Sequence, residues 1–315
     1  MPLVGGAGRG GGRLVFVLRF HCASQKRARR GNFHDRGGRL RLGARPDKVG
    51  QAPGQSNPYS RVLTFDFPPL RPAENLAAEE ALLDLAEAGQ WGETLAFWEP
   101  QEHFIVLGCG NQAATEVDRA ACERLGVPIL RRSSGGGTVL QGPGVLNYCF
   151  ILRITENTPL ATINGANQFI MHRNAEALTN LLNKEQPPPH PSPATRHPSV
   201  EVRGHTDLAL ADRKFSGNAQ RRKRTHLLFH GAVLLGLDLE LLTAVLPLPA
   251  RQPDYRGGRA HRDFLTQLAL PAATIKAALR DAWSAHTPTA PPDWAAAIGR
   301  LVSEKYGRAE WTFRG

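Results

Sequence analysis

Two short segments hold most of the residues whose types and spacing could do chemistry. The first runs Arg131-Arg132-Ser133-Ser134-Gly135-Gly136-Gly137-Thr138-Val139 and lies between two apolar runs, which predicts a loop between strands. Glycines lack Cβ atoms, so backbone N–H groups can converge on an anion. Guanidinium groups suit phosphate or carboxylate. The segment therefore favours a nucleotide or an activated acid as ligand, although a glycine triplet alone is more often a flexible surface loop.

The second segment follows about seventy residues later and adds a lysine to this chemistry. It begins Asp207-Leu208-Ala209-Leu210 and continues Lys214-Phe215-Ser216-Gly217-Asn218-Ala219-Gln220. A lysine by itself is most often solvated. A lysine followed directly by Ser-Gly-Asn is less ordinary, because glycine admits a close ligand and the flanking side chains offer hydrogen bonds.

Together the two segments resemble the lipoate-protein ligase A family, which is grouped with the biotin ligases and the octanoyltransferases. The family pattern is a double arginine, Ser or Thr, three glycines, a small residue with Val, and a strand containing Asn. An Asp-Leu pair and a Lys with Ser-Gly-Asn/Ser-Ala come later. Further agreement covers Asn75 to Leu82, Phe229-His230-Gly231, Tyr255-Arg256, Arg259, His261 and Asp263-Phe264-Leu265. The resemblance spans roughly residues 58 to 315.

The resemblance implies a ligase that activates lipoate or octanoate with ATP to acyl-AMP and then acylates a lysine of an acceptor domain. It gives Lys214 the catalytic position between the acyl carboxylate and the phosphate. One compact ammonium can contact both of these groups from a single position. Asp207 would assist adenylate or Mg²⁺ binding. The residues expected to bind the nucleotide and the acid are Arg132, Ser134, Gly135, Gly136, Gly137, Thr138, Val139, Asn147, Asp207, Ser216, Gly217 and Asn218.

The same resemblance suggests partners for the enzyme. Acceptors would be lipoyl domains of 2-oxoacid dehydrogenase complexes or the glycine-cleavage H protein. Well-known ligases continue into an accessory domain, but little sequence follows Glu310-Trp311 here, so we expect a separate accessory polypeptide or an enzyme that acts alone. An apolar slot for the acyl chain is expected at Phe104, Val106 and Leu140. The run Arg221 to Arg224 would attract an acidic acceptor domain or form a solvated hairpin.

Two alternatives remain open. Octanoyl or lipoyl transferases of this fold use a cysteine thioester and no ATP, with the nucleophile after the motif lysine or in a nearby loop; here no cysteine follows Cys149, which favours adenylation. A non-catalytic carrier-binding relative is suggested by Gln141, where many ligases have His, and by Thr206, where many have Asn. Asn147 would contact ligand or satisfy neighbouring backbone.

Composition limits the other function classes. The chain of 315 residues has a net charge of +11, but residues 1–56 hold 12 basic and two acidic residues, so the rest carries only +1. The charge therefore gives no argument for nucleic-acid binding. The four cysteines lack paired spacing, which argues against disulfides and zinc and fits a reducing cytoplasm. No apolar run approaches the roughly 20 residues that span a membrane. The Arg-rich beginning resembles an organelle transit peptide, and organelle targeting is the less favoured alternative to a cytoplasmic location.

The predicted strands, with helices grouped between and after them, indicate an α+β fold. Residues 1–56 form a predicted disordered tail, residues 57–315 a single biotin/lipoate-ligase-like catalytic domain with a mixed sheet and flanking helices, and residues 185–199 a Pro-rich loop. Predicted strands are 61–67, 94–99, 104–108, 145–152, 200–203, 206–210, 214–219 and 226–234, and predicted helices are 73–88, 117–125, 162–183, 239–245, 272–286 and 294–306. Glu79 and Glu80 are expected on a solvated face, Cys109 as an apolar filler and Cys149 as inert core.

Overall fold

The computed structural model describes residues 62–185 and 198–314. The predicted tail, and nearly all of the predicted Pro-rich loop, lie outside these residues. No helix in the described ranges combines the length and apolarity needed to cross a membrane. The strands are β1 Leu63–Asp66, β2 Thr94–Trp98, β3 Phe104–Leu107, β4 Ile129–Arg131, β5 Val139–Gln141, β6 Val145–Arg153, β7 Val200–Arg203, β8 Asp207–Leu210, β9 Arg213–Arg222, β10 His226–Leu234 and β11 Thr287–Pro288.

Helices alternate with these strands and follow them. The α-helices are α1 Pro72–Glu87, α2 Ala113–Glu116, α3 Arg119–Leu125, α4 Ile163–Glu185, α5 Leu239–Val245, α6 His261–Phe264, α7 Ala272–Ala282, α8 Ala295–Leu301 and α9 Ala309–Thr312. A π-turn at Val302–Tyr306 continues α8, so the single helix predicted over 294–306 is interrupted. The helix predicted over 117–125 begins later, because the Asp118 carboxylate caps α3 by accepting from the Ala121 N–H at 2.9 Å.

Most strands form one mixed sheet of eight strands in the order β11-β1-β2-β6-β10-β9-β8-β7. β1 pairs in parallel with both neighbours, whereas the pairs from β2 to β7 are antiparallel. A smaller sheet has the order β4-β3-β5. The central strands β6 and β10 are apolar on both faces, as expected where a sheet is covered on both sides.

Three apolar clusters hold these layers together. Residues of α4 and α7, including Ile170 and Leu279, pack against one face of the large sheet. Residues of α1 and α8, including Leu82 and Ile298, cover its other face and also meet Phe104 and Val106 of the small sheet. A third cluster fills the outer side of the small sheet. The small sheet therefore stands against the α1 face, which carries the candidate site.

Candidate functional site

The glycine loop, residues 131–139, is built around the buried guanidinium of Arg132. Nη2 of Arg132 donates to the carbonyl oxygens of Gly135 at 2.6 Å and Gly137 at 2.8 Å. Nε donates to Ser134 Oγ at 3.0 Å. The three glycines are exposed while the residues from Arg131 to Ser134 are buried. Burial lowers the Arg132 pKa to about 10, partly opposed by the nearby charge of Glu79. Arg132 thus bonds its own loop with the N–H groups that were predicted to bind a ligand.

Arg131 has a different task from its neighbour. Its side chain is buried, and Nη1 donates to the carbonyl of Asn111 at 2.7 Å. Nε donates to the carbonyl of Thr312 at 2.9 Å, and Nη2 to that of Arg314 at 3.3 Å. These contacts bind the end of the described chain to the strand that leads into the glycine loop. Arg131 therefore fixes structure around the loop and faces no ligand space.

A β-bulge sets the direction of Lys214. Leu208 pairs with Ser216, but the next residue, Ala209, pairs with Lys214, so Phe215 is the extra residue of β9. A bulge re-aims the residues beside it. Phe215 is fully buried in the α4-side cluster, and Lys214 consequently lies on the opposite face, where its Nζ is 2.7 Å from Asp207 Oδ1. The local sequence therefore folds so that the motif lysine faces the α1 side.

The lysine and the glycine loop meet on this face of the sheet, which we call the site face and define by Asp207, Gly217, Ala219 and His230. Asp207 is opposite Gly217 and Ala219 is opposite His230 in the ladders, so each pair shares a face. A Cβ on Gly217 would lie 2.9 Å from Lys214 Nζ, and a Cβ on Gly136 would lie 3.6 Å from that of Ala219. Gly217 and Ala219 are about 7 Å apart along the strand. The ammonium and the loop therefore border one surface.

Asp207 has a further partner that the sequence analysis did not assign to the site. The Tyr255 hydroxyl donates to Asp207 Oδ2 at 2.8 Å. Burial, and then the charge of Asp207, raise the pKa of Tyr255. The carboxylate is thus held between a neutral phenol and an ammonium, and the side chains of Lys214 and Asp207 retain 25% and 15% exposure.

Ser216 and Asn218 lie on the opposite face of the sheet from Lys214. Asn218 Nδ2 donates to the Thr206 carbonyl at 2.8 Å and to Ser216 Oγ at 3.3 Å, and the Tyr148 hydroxyl donates to Asn218 Oδ1. The bulge at Phe215 explains this separation, because it leaves Lys214 on the face of Gly217, and strand alternation puts the neighbours of Gly217 on the other face. The structure therefore places Lys214, Asp207 and Gly217 together on the site face. Ser216 and Asn218 lie on the other face of the sheet.

Asn147 and Gln141 form a closed pair of side-chain amides. Gln141 Nε2 donates to Asn147 Oδ1 at 2.8 Å, and Asn147 Nδ2 donates back to Gln141 Oε1 at 3.0 Å. Both side chains are buried. The side-chain amide of Asn147 therefore bonds another side chain rather than neighbouring backbone, and its contact with a ligand stays a prediction.

Thr138 and Val139 leave the loop toward β5 and are half-buried. Asn111 bonds the Thr138 hydroxyl at 2.9 Å, which ties the turn after β3 to the end of the glycine loop. Cys109 lies in that same turn. It is half-exposed, its N–H donates to the Ser134 carbonyl at 2.8 Å, and its Sγ is 3.0 Å from Arg314 Nη2. The expectation of an apolar filler is therefore wrong for Cys109.

A chain of short hydrogen bonds joins the glycine loop to α1, and sequence reasoning missed it. Ser134 Oγ is 2.6 Å from His230 Nε2, and His230 Nδ1 is 2.6 Å from Glu79 Oε2. Trp98 Nε1 donates to Glu79 Oε1 at 3.0 Å. Glu79 is only 3% exposed, so its expected place on a solvated face is wrong. Its helical spacing from Leu76 and Leu83 was a signal, since all three share one face of the helix.

Glu80, the next residue, is also buried, at 6% exposure, and the expectation of a solvated side chain is wrong here too. Its carboxylate accepts from Lys305 Nζ at 2.5 Å and from the Tyr306 hydroxyl. Desolvation raises the pKa of Glu80, but the charge and hydrogen bonds of Lys305 and Tyr306 outweigh it and leave the pKa lowered. Glu80 thus anchors the segment after α8.

The predicted cationic run and acyl slot also differ from the structure. Arg221 donates to the Ser133 carbonyl at 3.1 Å, Arg222 to that of Leu160 at 2.7 Å, and Lys223 pairs with Asp84 at 2.6 Å. Three of the four side chains in the run therefore make contacts within the chain, whereas Arg224 is exposed. Attraction of an acidic acceptor domain stays a prediction. Phe104 and Val106 share the α1-side cluster, but Leu140 lies in the cluster across the small sheet. The expected slot therefore cannot contain all three residues.

The other two cysteines in the described part of the chain, Cys122 and Cys149, are poor nucleophiles. Cys149 is fully buried in β6, and burial raises its pKa well above the usual value, which confirms the expectation of inert core. Burial and the charge of Asp118 raise the pKa of Cys122. Within residues 62–185 and 198–314, no group of three or more His, Cys, Asp or Glu side chains could hold a metal ion.

Comparison with known proteins agrees with the resemblance found in the sequence. Residues 71–277 match the lipoyl protein ligase A/B catalytic domain. The octanoyltransferase LipM of Exiguobacterium sibiricum is 29% identical over 196 residues, which cover 56% of this chain and 66% of that protein. The chain spans about two thirds of the length of the first relatives it matches.

Two solved structures share the fold. The bi-partite lipoate protein ligase of Thermoplasma acidophilum, described with its E2 lipoyl domain, aligns with a TM-score of 0.63 and 20% identity, over 80% of this chain and 95% of that one. A lipoate-protein ligase A bound with ATP aligns with a TM-score of 0.60 and 23% identity, over 80% and 98%. These likenesses confirm the predicted mixed sheet with flanking helices.

Proposed function

Because this chain belongs to the lipoyl protein ligase A/B catalytic domain family, we propose that it activates lipoate or octanoate with ATP and acylates a lysine of an acceptor domain. The observation that carries the proposal is the position of Lys214. Its ammonium lies on the site face beside Gly217, 2.7 Å from Asp207, on the surface that the exposed glycine loop borders. A cation in this place can neutralise two anions that must approach each other.

In the first half-reaction, the acid carboxylate attacks the α-phosphorus of ATP and pyrophosphate leaves, giving the acyl-adenylate. The transition state gathers negative charge, and fixed positive charge stabilises it. Lys214 can exchange Asp207 for the substrate oxygens because an ammonium has three donors and a flexible stem. Arg132 contributes indirectly, by holding the glycine carbonyls turned toward itself.

ATP and the Mg²⁺ that accompanies it fit the residues present. Mg²⁺ is usually held by one or two carboxylates together with phosphates, and Asp207 supplies a partly exposed carboxylate at 15% side-chain exposure. Tyr255 would keep that carboxylate in position. When bound, the ion supplies positive charge to the phosphates, and Asp207 is the residue we expect to hold it.

In the second half-reaction, the acceptor lysine attacks the acyl carbon, an amide forms and AMP leaves. We propose lipoyl domains of 2-oxoacid dehydrogenase complexes or a glycine-cleavage H protein as acceptors, in a reducing cytoplasm. The T. acidophilum ligase is described as bi-partite and with an E2 lipoyl domain. A separate accessory polypeptide is accordingly part of the proposal for this chain.

The second candidate function is ATP-independent octanoyl transfer, which the name of the Exiguobacterium relative favours. A thioester enzyme needs a reactive, accessible cysteine. Among the described cysteines, Cys122 and Cys149 are buried with raised pKa values. Cys109 is half-exposed beside Arg314 and is the cysteine to test.

Pyrophosphate exchange separates the candidates. The protein is incubated with ATP, labelled pyrophosphate and either lipoate or octanoate, and acceptor domain is then added and weighed by mass spectrometry. We expect acid-dependent exchange without acceptor, and acylated acceptor only when ATP is present. Acylation by octanoyl thioester alone, with no exchange, would contradict the ligase and support the transferase. A Cys109→Ala variant then tests whether the thiol takes part.

A further inference from the structure

Three side chains from separate elements form a hydrogen-bonded bridge behind the glycine loop, which we call the loop bridge. Ser134 belongs to the loop, His230 to β10 and Glu79 to α1, and each of the two links is 2.6 Å long. The side chains of His230 and Glu79 are 13% and 4% exposed, and Ser134 is 2% exposed. The loop bridge therefore lies inside the protein, where its donors and acceptors are satisfied by neighbouring residues.

The partners of the loop bridge fix the direction of each hydrogen bond. Arg132 Nε donates to Ser134 Oγ at 3.0 Å, so the hydroxyl hydrogen of Ser134 needs a different partner. His230 Nε2 is the acceptor that the described residues offer to it. A carboxylate only accepts, so His230 Nδ1 carries the hydrogen directed at Glu79. The loop bridge thus requires a neutral imidazole with its hydrogen on Nδ1.

The α1 end of the loop bridge is fixed by a second donor. Trp98 Nε1 of β2 donates to Glu79 Oε1 at 3.0 Å, while His230 uses Oε2. Burial lowers the pKa of Arg132, and the negative charge of Glu79 opposes this effect. The buried cation of the loop therefore has a buried anion on α1, and the loop bridge connects the two.

Ser134 is held from two sides, directly before the glycines begin. The loop bridge fixes its hydroxyl, and its carbonyl oxygen accepts from the Cys109 N–H at 2.8 Å. The glycines of residues 135–137 follow and are exposed. Because glycines have large conformational freedom, such a triplet keeps one shape only where its surroundings hold it. Arg132 holds the carbonyls inside the triplet, and the loop bridge holds the residue from which the triplet starts.

We propose that His230 is a positioning residue for acid activation, which holds the glycine loop in its substrate-binding shape by linking Ser134 to Glu79. The inference rests on the proposed ligase function and assigns a task to His230, which that function left without one. His230 does not contact the reacting atoms. When the loop bridge is broken, only a fraction of the molecules has the loop ready, and the apparent affinity for substrate falls by that fraction. The bound complex reacts at nearly the same rate.

The tautomer of His230 is the first test, and it needs only the wild-type protein. With histidine labelled in its ring nitrogens, NMR reports which nitrogens carry hydrogen, and the resonances of His230 are assigned through the backbone of β10. We expect hydrogen on Nδ1 alone at neutral pH. Hydrogen on Nε2, alone or together with Nδ1, would leave the Ser134 hydroxyl without its acceptor and overturn the proposal.

Two variants break the loop bridge at opposite ends with little change of shape. Ser134→Ala removes the hydroxyl, and Glu79→Gln replaces one carboxylate oxygen by an NH₂ group, so that it no longer accepts from both of its donors. The Cys109 amide, which is bonded to the Ser134 carbonyl, reports on the loop by hydrogen exchange in substrate-free protein. We expect this amide to exchange at least about tenfold faster in both variants.

His226→Gln is the matched control. His226 lies on the same face of β10, four residues before His230. Its side chain is also 13% exposed, and its Nδ1 is 3.8 Å from Glu87 Oε2. His226 has no link to the glycine loop, so the Cys109 amide should exchange in His226→Gln as in the wild type. Wild-type exchange in Ser134→Ala and Glu79→Gln, or equally fast exchange in all three variants, would contradict the positioning role.

ATP-pyrophosphate exchange kinetics test the consequence for the reaction. Ser134→Ala and Glu79→Gln should raise the KM of ATP or of the acid at least about tenfold, with a maximal rate within about threefold of wild type. Unchanged KM values, with or without a lower maximal rate, would overturn the proposal. Thermal unfolding shows whether each variant folds, and the tautomer decides the question if one does not. Should the wild type show no exchange, the ligase function fails, while the tautomer and the Cys109 amide still decide whether the loop bridge holds the loop.

Discussion

The two cations of the site, Arg132 in the glycine loop and Lys214 in β9, were predicted to do similar work and have opposite surroundings. Arg132 is 8% exposed and directs its donors at Ser134, Val106 and the carbonyls of its own loop. Lys214 keeps 25% of its side chain exposed and has one carboxylate partner. A planar guanidinium suits a fixed, multiply bonded position, whereas an ammonium on a flexible stem suits exchange of partners. The arginine therefore holds the loop in shape, and the lysine is the cation that we propose acts on the substrates.

Replacing the lysine should have the largest effect on chemistry. Lys214→Ala should lower the rate of ATP-pyrophosphate exchange at least about a thousandfold, or roughly 4 kcal/mol, because the negative charge of the transition state loses a flexible cation. The melting temperature should change little, since the pair with Asp207 is partly solvated. The matched control is Lys223→Ala, which removes a lysine paired with Asp84 on another part of the hairpin. Equal exchange rates in Lys214→Ala and Lys223→Ala would show that Lys214 has no special role in the exchange reaction.

Replacing the arginine should act first on stability. Arg132→Met should lower the free energy of unfolding by about 3 kcal/mol, because the carbonyls of Val106, Gly135 and Gly137 lose a buried charged donor that they share. Denaturant titration measures the loss. Arg222→Met is the control, since Arg222 also donates to carbonyls, at Leu160 and Ala161, but away from the loop; we expect about 1 kcal/mol. A fully stable Arg132→Met with weaker ATP binding would instead make Arg132 a ligand residue.

The glycines permit a finer test of the loop that Arg132 shapes. Gly136 has a φ of +91°, and a Cβ there would lie 2.9 Å from Arg132 Nη2. Gly136→Ala should therefore cost about 1 to 2 kcal/mol of stability and impair exchange. Gly135→Ala is the matched control, because a Cβ at Gly135 meets nothing within 4 Å and its φ is not positive. Similar stabilities of the two variants, measured by thermal unfolding, would show that the loop tolerates side chains at both positions.

The sequence predicted the longer strands and helices well because their signals are local, whereas the short elements β11, α2, α6 and α9 were not predicted. The apolar periodicity of α4 and the runs of β6 and β10 identified these elements within a few residues. The same local signals missed the bulge at Phe215, since an extra residue in a ladder depends on the partner strand. Without the bulge, simple alternation would have put Lys214 on the face of Ser216 and Asn218.

The roles of individual charges were harder to predict, because burial is a property of the packed molecule. Arg131 and Arg132 are adjacent and chemically identical, yet one bonds the carbonyls of residues 311, 312 and 314 and the other bonds the glycine loop. Glu79 and His230 come from positions 151 residues apart, a separation that no sequence spacing reports. Family resemblance pointed to Phe229-His230-Gly231 but gave His230 no partner.

The smallest expected effect concerns Glu80, which anchors the segment after α8 through Lys305 and Tyr306. This effect is confined to acid pH. Lys305 and Tyr306 hold the Glu80 pKa below its ordinary value of 4.5 against the opposing effect of desolvation. A lowered carboxyl pKa gives stability that is present above pH 4.5 and is lost as the pH falls through the folded-state value. Burial lowers the pKa of Lys305 as well, because desolvation of the ammonium outweighs its attraction to Glu80. Titration of Lys305 therefore changes the free energy of unfolding at alkaline pH and not in the acid range of this test. Glu80→Gln should therefore flatten the decline of unfolding free energy from neutral pH to about pH 3. Parallel curves for the wild type and the variant would mean that Glu80 contributes no acid-sensitive stability to this anchor.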